Sequence, residues 1–82
     1  MIRKEVVIRV AEGLHARPAA EFVRLCTEAG DDVQVRRTDG KQASGKSILA
    51  ILTLGLRRGD IAIIEAPDSA ETLVDKLVSL LG

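Results

Sequence analysis

The segment Ser47-Ile48-Leu49-Ala50-Ile51-Leu52-Thr53-Leu54-Gly55 decides the fold. It is apolar nearly all round, so periodicity alone does not separate a buried strand from a short helix. Serine is a preferred helix N-cap, and glycine just past the last turn suits a left-handed C-cap. Both signals favour a short helix over Ser47–Leu54. On a helical wheel Ile51 and Leu54 fall on one side, and Ile48, Leu49 and Leu52 on another. A short helix against one sheet cannot bury both sides. Either the second group is an exposed docking surface, or the helix lies deeper than one sheet would place it. Ser47 is most simply the cap. A phosphoryl group there would suit the helix start while adding negative charge beside the apolar side.

Outward from this segment the pattern alternates between periods of two and 3.6. Arg3 to Val10 reads as a strand, with Val6, Ile8 and Val10 alternating with Glu5, Val7 and Arg9. Ala16 to Ala29 reads as a helix, with Ala19, Phe22, Val23 and Cys26 at i, i+3, i+4 and i+7 and Gly30 placed to end it. Asp32–Arg37 and Lys41–Ala43 are two antiparallel strands joined by a tight turn at Asp39-Gly40. Asp60–Glu65 is a fourth strand. After Pro67 a last helix opens with Asp68 and Glu71 at capping-box spacing and buries Ala70, Leu73, Val74, Leu77 and Leu81. The order strand, helix, strand, strand, helix, strand, helix implies an α+β domain: an antiparallel sheet with its helices on a single face.

A chain of 82 residues has room for one core, so residues 1–82 form a single domain. Its apolar residues are 46% of the chain and aromatics only 1%, which makes the core aliphatic. Twelve basic residues balance twelve acidic ones, removing the field that draws proteins to nucleic acid, and no stacking platform exists for bases. No apolar run approaches the roughly 20 residues of a membrane span, and no signal-peptide pattern opens the chain. A cytoplasmic protein without membrane insertion is expected. Cys26 has no partner for a disulfide and lies on the helix stripe, so it reads as core. One histidine and one cysteine do not make a metal cluster, and neither metal nor cofactor is expected.

The one histidine stands in Gly13-Leu14-His15-Ala16-Arg17-Pro18-Ala19-Ala20, at the start of the first helix. Unpaired N–H groups and the positive end of the helix dipole stabilise an anion there. Pro18 fits the first turn, where its missing N–H is no loss. Arg17 offers a planar fork suited to phosphate oxygens. A neutral imidazole at this place is a candidate phosphoryl acceptor. The plainer reading is a surface histidine beside a solvated arginine.

Gly13–Ala20 followed by a helix, with Lys46-Ser47-Ile48-Leu49-Ala50-Ile51-Leu52-Thr53-Leu54-Gly55-Leu56 at the matching distance, resembles the HPr phosphocarrier family of the bacterial phosphoenolpyruvate-dependent sugar phosphotransferase system. The resemblance implies an open-faced sandwich, a four-stranded antiparallel sheet with three helices on one face. It implies a carrier with a phosphohistidine intermediate rather than a stand-alone enzyme. His15 Nδ1 would take the phosphoryl group from phosphorylated enzyme I and pass it to enzyme IIA units of sugar permeases, with Arg17 assisting. Ser47 matches the family's regulatory serine, the target in many relatives of an HPr kinase whose product recruits a transcriptional regulator. Ile48, Leu49, Leu52 and Arg24 match the partner-binding face. A monomer is expected, since one face serves several partners. The resemblance leaves open an HPr-like role in a nitrogen-related or other regulatory phosphorelay. A small α+β binding module in which His15 is merely structural is the reading from another class. Glu12 departs from the small polar residue common in the family. A carboxylate near the phosphohistidine would raise the imidazole pKa and repel the phosphoryl group.

Overall fold

The computed structural model describes residues 1–10 and 16–82. Four strands, β1 (Ile2–Val7), β2 (Gln34–Arg37), β3 (Gln42–Ser44) and β4 (Ile61–Ala66), form one antiparallel sheet in the order β1-β4-β2-β3. The helices α1 (Ala16–Ala29), α2 (Ile48–Thr53) and α3 (Glu71–Leu81) cover one face of it. The open-faced α+β sandwich is the architecture expected from the order of elements. No helix among the described residues is long and apolar enough to cross a membrane.

Register decides which side chains meet the helices. Val35 lies opposite both Ile64 and Ala43, and all three are buried. One residue along, Arg36 faces Ile63 and Gln42 on the uncovered side, where Arg36 Nη2 meets a Glu65 carboxylate oxygen at 3.2 Å. Because side chains alternate, this half-polar face follows directly from the buried one. The core between sheet and helices is aliphatic but for Phe22, which is fully buried on the α1 stripe with Ala19 and Cys26. Burying a side chain of this size stabilises the fold by about 1.5–3 kcal/mol.

α1 spans the expected residues and ends at Gly30, whose N–H donates to Cys26 O at 3.0 Å. The strands are shifted by a residue or more. β1 begins at Ile2 and ends at Val7 rather than running to Val10. Ile8 still pairs with the β4 side, its N–H donating to Asp60 O at 2.8 Å, but the Arg9 N–H turns to Leu81 O at the end of α3. The helix thus takes the chain away from the sheet three residues before the apolar alternation stops. The capping box is also corrected. Asp68 opens a single 3-10 turn, Asp68–Ala70, and no side chain caps α3. The Asp68 carboxylate instead meets the Met1 amino group at 2.6 Å, an ion pair between residues far apart in sequence.

The β2–β3 connection is tighter than a loop needs to be. Gly40 N–H donates to Arg37 O (3.1 Å), Arg37 N–H to Lys41 O (2.8 Å), and Lys41 N–H to Asp39 Oδ1 (3.2 Å). Gly40 sits at φ +94°, a left-handed conformation that closes the three-residue loop without a Cβ clash.

Candidate functional site

The first turn of α1 holds Arg17, which is exposed, and Pro18, which is buried and needs no hydrogen-bond partner there. No acidic residue occupies this turn, so nothing on the helix opposes an anion at its start. His15 precedes Ala16 in sequence. It and Glu12 lie outside the described residues.

Two turns along α1, Arg24 is exposed and held between two carboxylates of its own helix. Its guanidinium pairs with Glu21, and its Nη1 donates to Glu28 Oε2 at 2.8 Å. The bonds to Glu21 and Glu28 push the guanidinium pKa further up, and the bond from Arg24 holds the Glu21 carboxyl below its usual range. A charge so held is poised on the surface in one orientation, although pairs this exposed add little to stability.

α2 resolves the question left by its wheel. Ile51 and Leu54 are 0% and 4% exposed, whereas Ile48, Leu49 and Leu52 are 41%, 74% and 37% exposed. The second side faces outward, and the helix is not buried on both. Ser47 is the N-cap, with extended backbone, and its Oγ accepts the Ala50 N–H at 3.2 Å. Leu49, Ala50 and Thr53 join Lys41 and Gln42 of the hairpin around a shallow groove of about 590 Å³ that Ser47 also lines. Lys46, next to Ser47, reaches Gly30 O (3.2 Å) and Asp32 Oδ1 (3.4 Å), tying the approach to α2 to the end of α1.

Ser47, Ile48, Leu49 and Leu52 thus share one short helix, and that helix packs against α1, which carries Arg17 and Arg24. Cys26 is fully buried, and desolvation, the largest influence, pushes its thiol up to about 11. It behaves as a small apolar residue with no thiolate at neutral pH. Among the described residues no cluster of three or more His, Cys, Asp or Glu is placed to hold a metal.

One residue of consequence was invisible to sequence reasoning. An Arg37 Nη1 hydrogen donates to Leu54 O at the C-terminal end of α2. The contact spans 17 positions and joins a strand to a helix, so no local pattern announces it.

Residues 2–82 match the family described as "PTS HPr component phosphorylation site". The chain is 38% identical over 83 residues to the phosphocarrier protein HPr of Streptomyces coelicolor, covering 100% of this chain and 89% of that one. It is 40% identical over 82 residues to the phosphocarrier protein HPr of Vibrio cholerae, covering 99% and 95%. The fold superposes on the crystal structure of a phosphocarrier protein HPr from Bacillus anthracis with a TM-score of 0.91 at 30% identity, covering 99% of this chain and 96% of that one. With the sheet order, the outward face of α2 and an α1 start free of acidic residues already in place, the chain belongs to the HPr family, the phosphocarriers of the phosphotransferase system.

Proposed function

We propose that this chain carries its phosphoryl group on His15 Nδ1. The group comes from the phosphohistidine of enzyme I, itself charged by phosphoenolpyruvate, and passes to a histidine of an enzyme IIA unit. The Nδ1–P bond forms as the donor's N–P bond breaks. Each exchange is between nitrogen acceptors, so the free-energy change is small and positioning matters more than chemical activation. The observation that carries the reading is the start of α1: a helix of 14 residues directly after His15, with Arg17 exposed in a first turn that has no acid. Its dipole and the guanidinium both favour the phosphoryl charge.

Ile48, Leu49 and Leu52, with Arg24 alongside, serve as the docking face for both partners in turn. Covering Leu49 on a partner is worth up to about 1.5–3 kcal/mol, suited to a contact that must form and dissociate each cycle. Phosphorylation of Ser47 by an HPr kinase places charge at the edge of this face, slowing transfer and creating a surface for a transcriptional regulator. The carrier works as a monomer in the cytoplasm. Mass measurement after incubation with enzyme I and phosphoenolpyruvate tests the central claim. An acid-labile gain of one phosphoryl group is expected in the wild type and absent in His15→Ala; labelling of that variant at the wild-type rate sinks the assignment.

A further inference from the structure

α2 has six residues, well short of the length at which an isolated helix is stable in water. Its inner side is anchored by Ile51 and Leu54, and its N-terminal end is closed by Ser47. At the C-terminal end Gly55, at φ +64°, forms the left-handed cap and donates its N–H to Leu52 O at 3.1 Å, but no basic residue lies in the last turn to meet the Leu54 carbonyl. The last carbonyls of any helix lack intrahelical partners.

Arg37 supplies what the helix does not. Its backbone is held on both sides, since its N–H and C=O are both bonded across the turn and its Cα lies opposite Ala62 of β4. From that fixed point the guanidinium donates to Leu54 O, while its Nε lies 3.5 Å from Asp39 Oδ1, which orients the planar fork. A Cβ added at Gly55 would lie 3.5 Å from Nη1, so the guanidinium sits directly against the chain as it leaves the helix. A cation at this end also complements the helix dipole.

We propose that Arg37 is a positioning residue for partner docking: by closing the C-terminal end of α2 from the sheet, it fixes the orientation in which Ile48, Leu49 and Leu52 meet enzyme I. This inference rests on the reading of that side of α2 as the docking face. In this role Arg37 acts through the helix, by its bond to Leu54 O.

The test measures enzyme I-dependent phosphorylation and amide hydrogen exchange for Arg37→Ala, Arg37→Lys, Leu49→Ala and the Arg37→Ala/Leu49→Ala double variant, below the melting temperature of each. Arg37→Ala is expected to raise KM for the carrier by roughly three- to tenfold with kcat unchanged, and to speed exchange at the Ala50 to Gly55 amides. Arg37→Lys, which keeps a cation and donors, recovers part of the loss. The double variant shows less than the product of the single effects, because both act through one face. If Leu49→Ala raises KM and Arg37→Ala does not, the positioning role is overturned while the docking face stands. If Leu49→Ala leaves KM unchanged, the docking face itself is wrong and the inference falls with it. Multiplicative effects, or a fall in kcat for Arg37→Ala, also overturn it.

Discussion

Replacing Ser47 by alanine and, separately, by aspartate separates its structural role from its charge. The Oγ atom accepts the Ala50 N–H at 3.2 Å, on a helix too short to hold its own first turn. Loss of an N-cap hydroxyl costs about 1 kcal/mol, within a range of roughly 0.5–2 kcal/mol. In a domain of this size each kcal/mol moves the melting temperature by roughly 4–8 °C, so Ser47→Ala is expected to melt about 4–8 °C below the wild type. It stays folded, because Ile51 and Leu54 still hold α2 in the core. Aspartate caps as well as serine does, so Ser47→Asp melts near the wild type. Its carboxylate adds charge beside the exposed apolar side, and the expected effect is a higher KM for the carrier in the enzyme I reaction. Circular-dichroism melts and phosphorylation kinetics on the same samples read the two effects apart. An unshifted melt for Ser47→Ala refutes the capping argument. Equal transfer rates for Ser47→Asp and the wild type refute the argument from charge.

Gly45 packs so closely that a Cβ there would stand 2.9 Å from Cys26 Sγ and 3.1 Å from both Val33 Cβ and Val33 O. Gly45→Ala is expected to lose about 1–3 kcal/mol in denaturant titration, with part of the loss relieved when Cys26→Ala is added; strict additivity would show that the sulfur is not the obstruction. Because the Cys26 thiol is raised from 9.0 to about 11 in the folded state, the native protein holds its proton more tightly than the unfolded chain does. Its contribution to stability is therefore full below pH 9 and is lost as pH rises toward about 11. Denaturant titrations should show the wild type falling more steeply than Cys26→Ala across that window, and parallel curves would contradict the burial argument. Arg24→Ala is expected to leave the melting temperature unchanged while raising KM for the carrier, because its ion pairs lie on the surface and its orientation serves docking; a large drop in melting temperature would reverse that reading.

Much of the architecture was legible because the apolar residues repeat at the period of the element they build. The stripe Ala19, Phe22 and Cys26 marks α1, and Gly30 marks its end. The wheel of α2 already separated Ile51 and Leu54 from Ile48, Leu49 and Leu52, and burial divides them along the same line. What misled was local pattern in competition with distant contacts. The alternation continued to Val10 after the backbone had left the sheet, because Arg9 pairs with Leu81 instead. Asp68 had the spacing of a cap, but the Met1 amino group offered it a full charge.

By itself, the sequence determined the class of fold, the α1 start beside His15, the Ser47 cap and the presence of a second apolar side on α2. Those features depend on residues within a turn or two of one another, where spacing and side-chain chemistry are enough. Tertiary structure alone decided that this second side faces outward, where each strand leaves the sheet, and that Arg37 closes α2 from a strand 17 positions away. Such contacts depend on where the sheet and helices come to rest against each other, and that is set by the packing of the whole core.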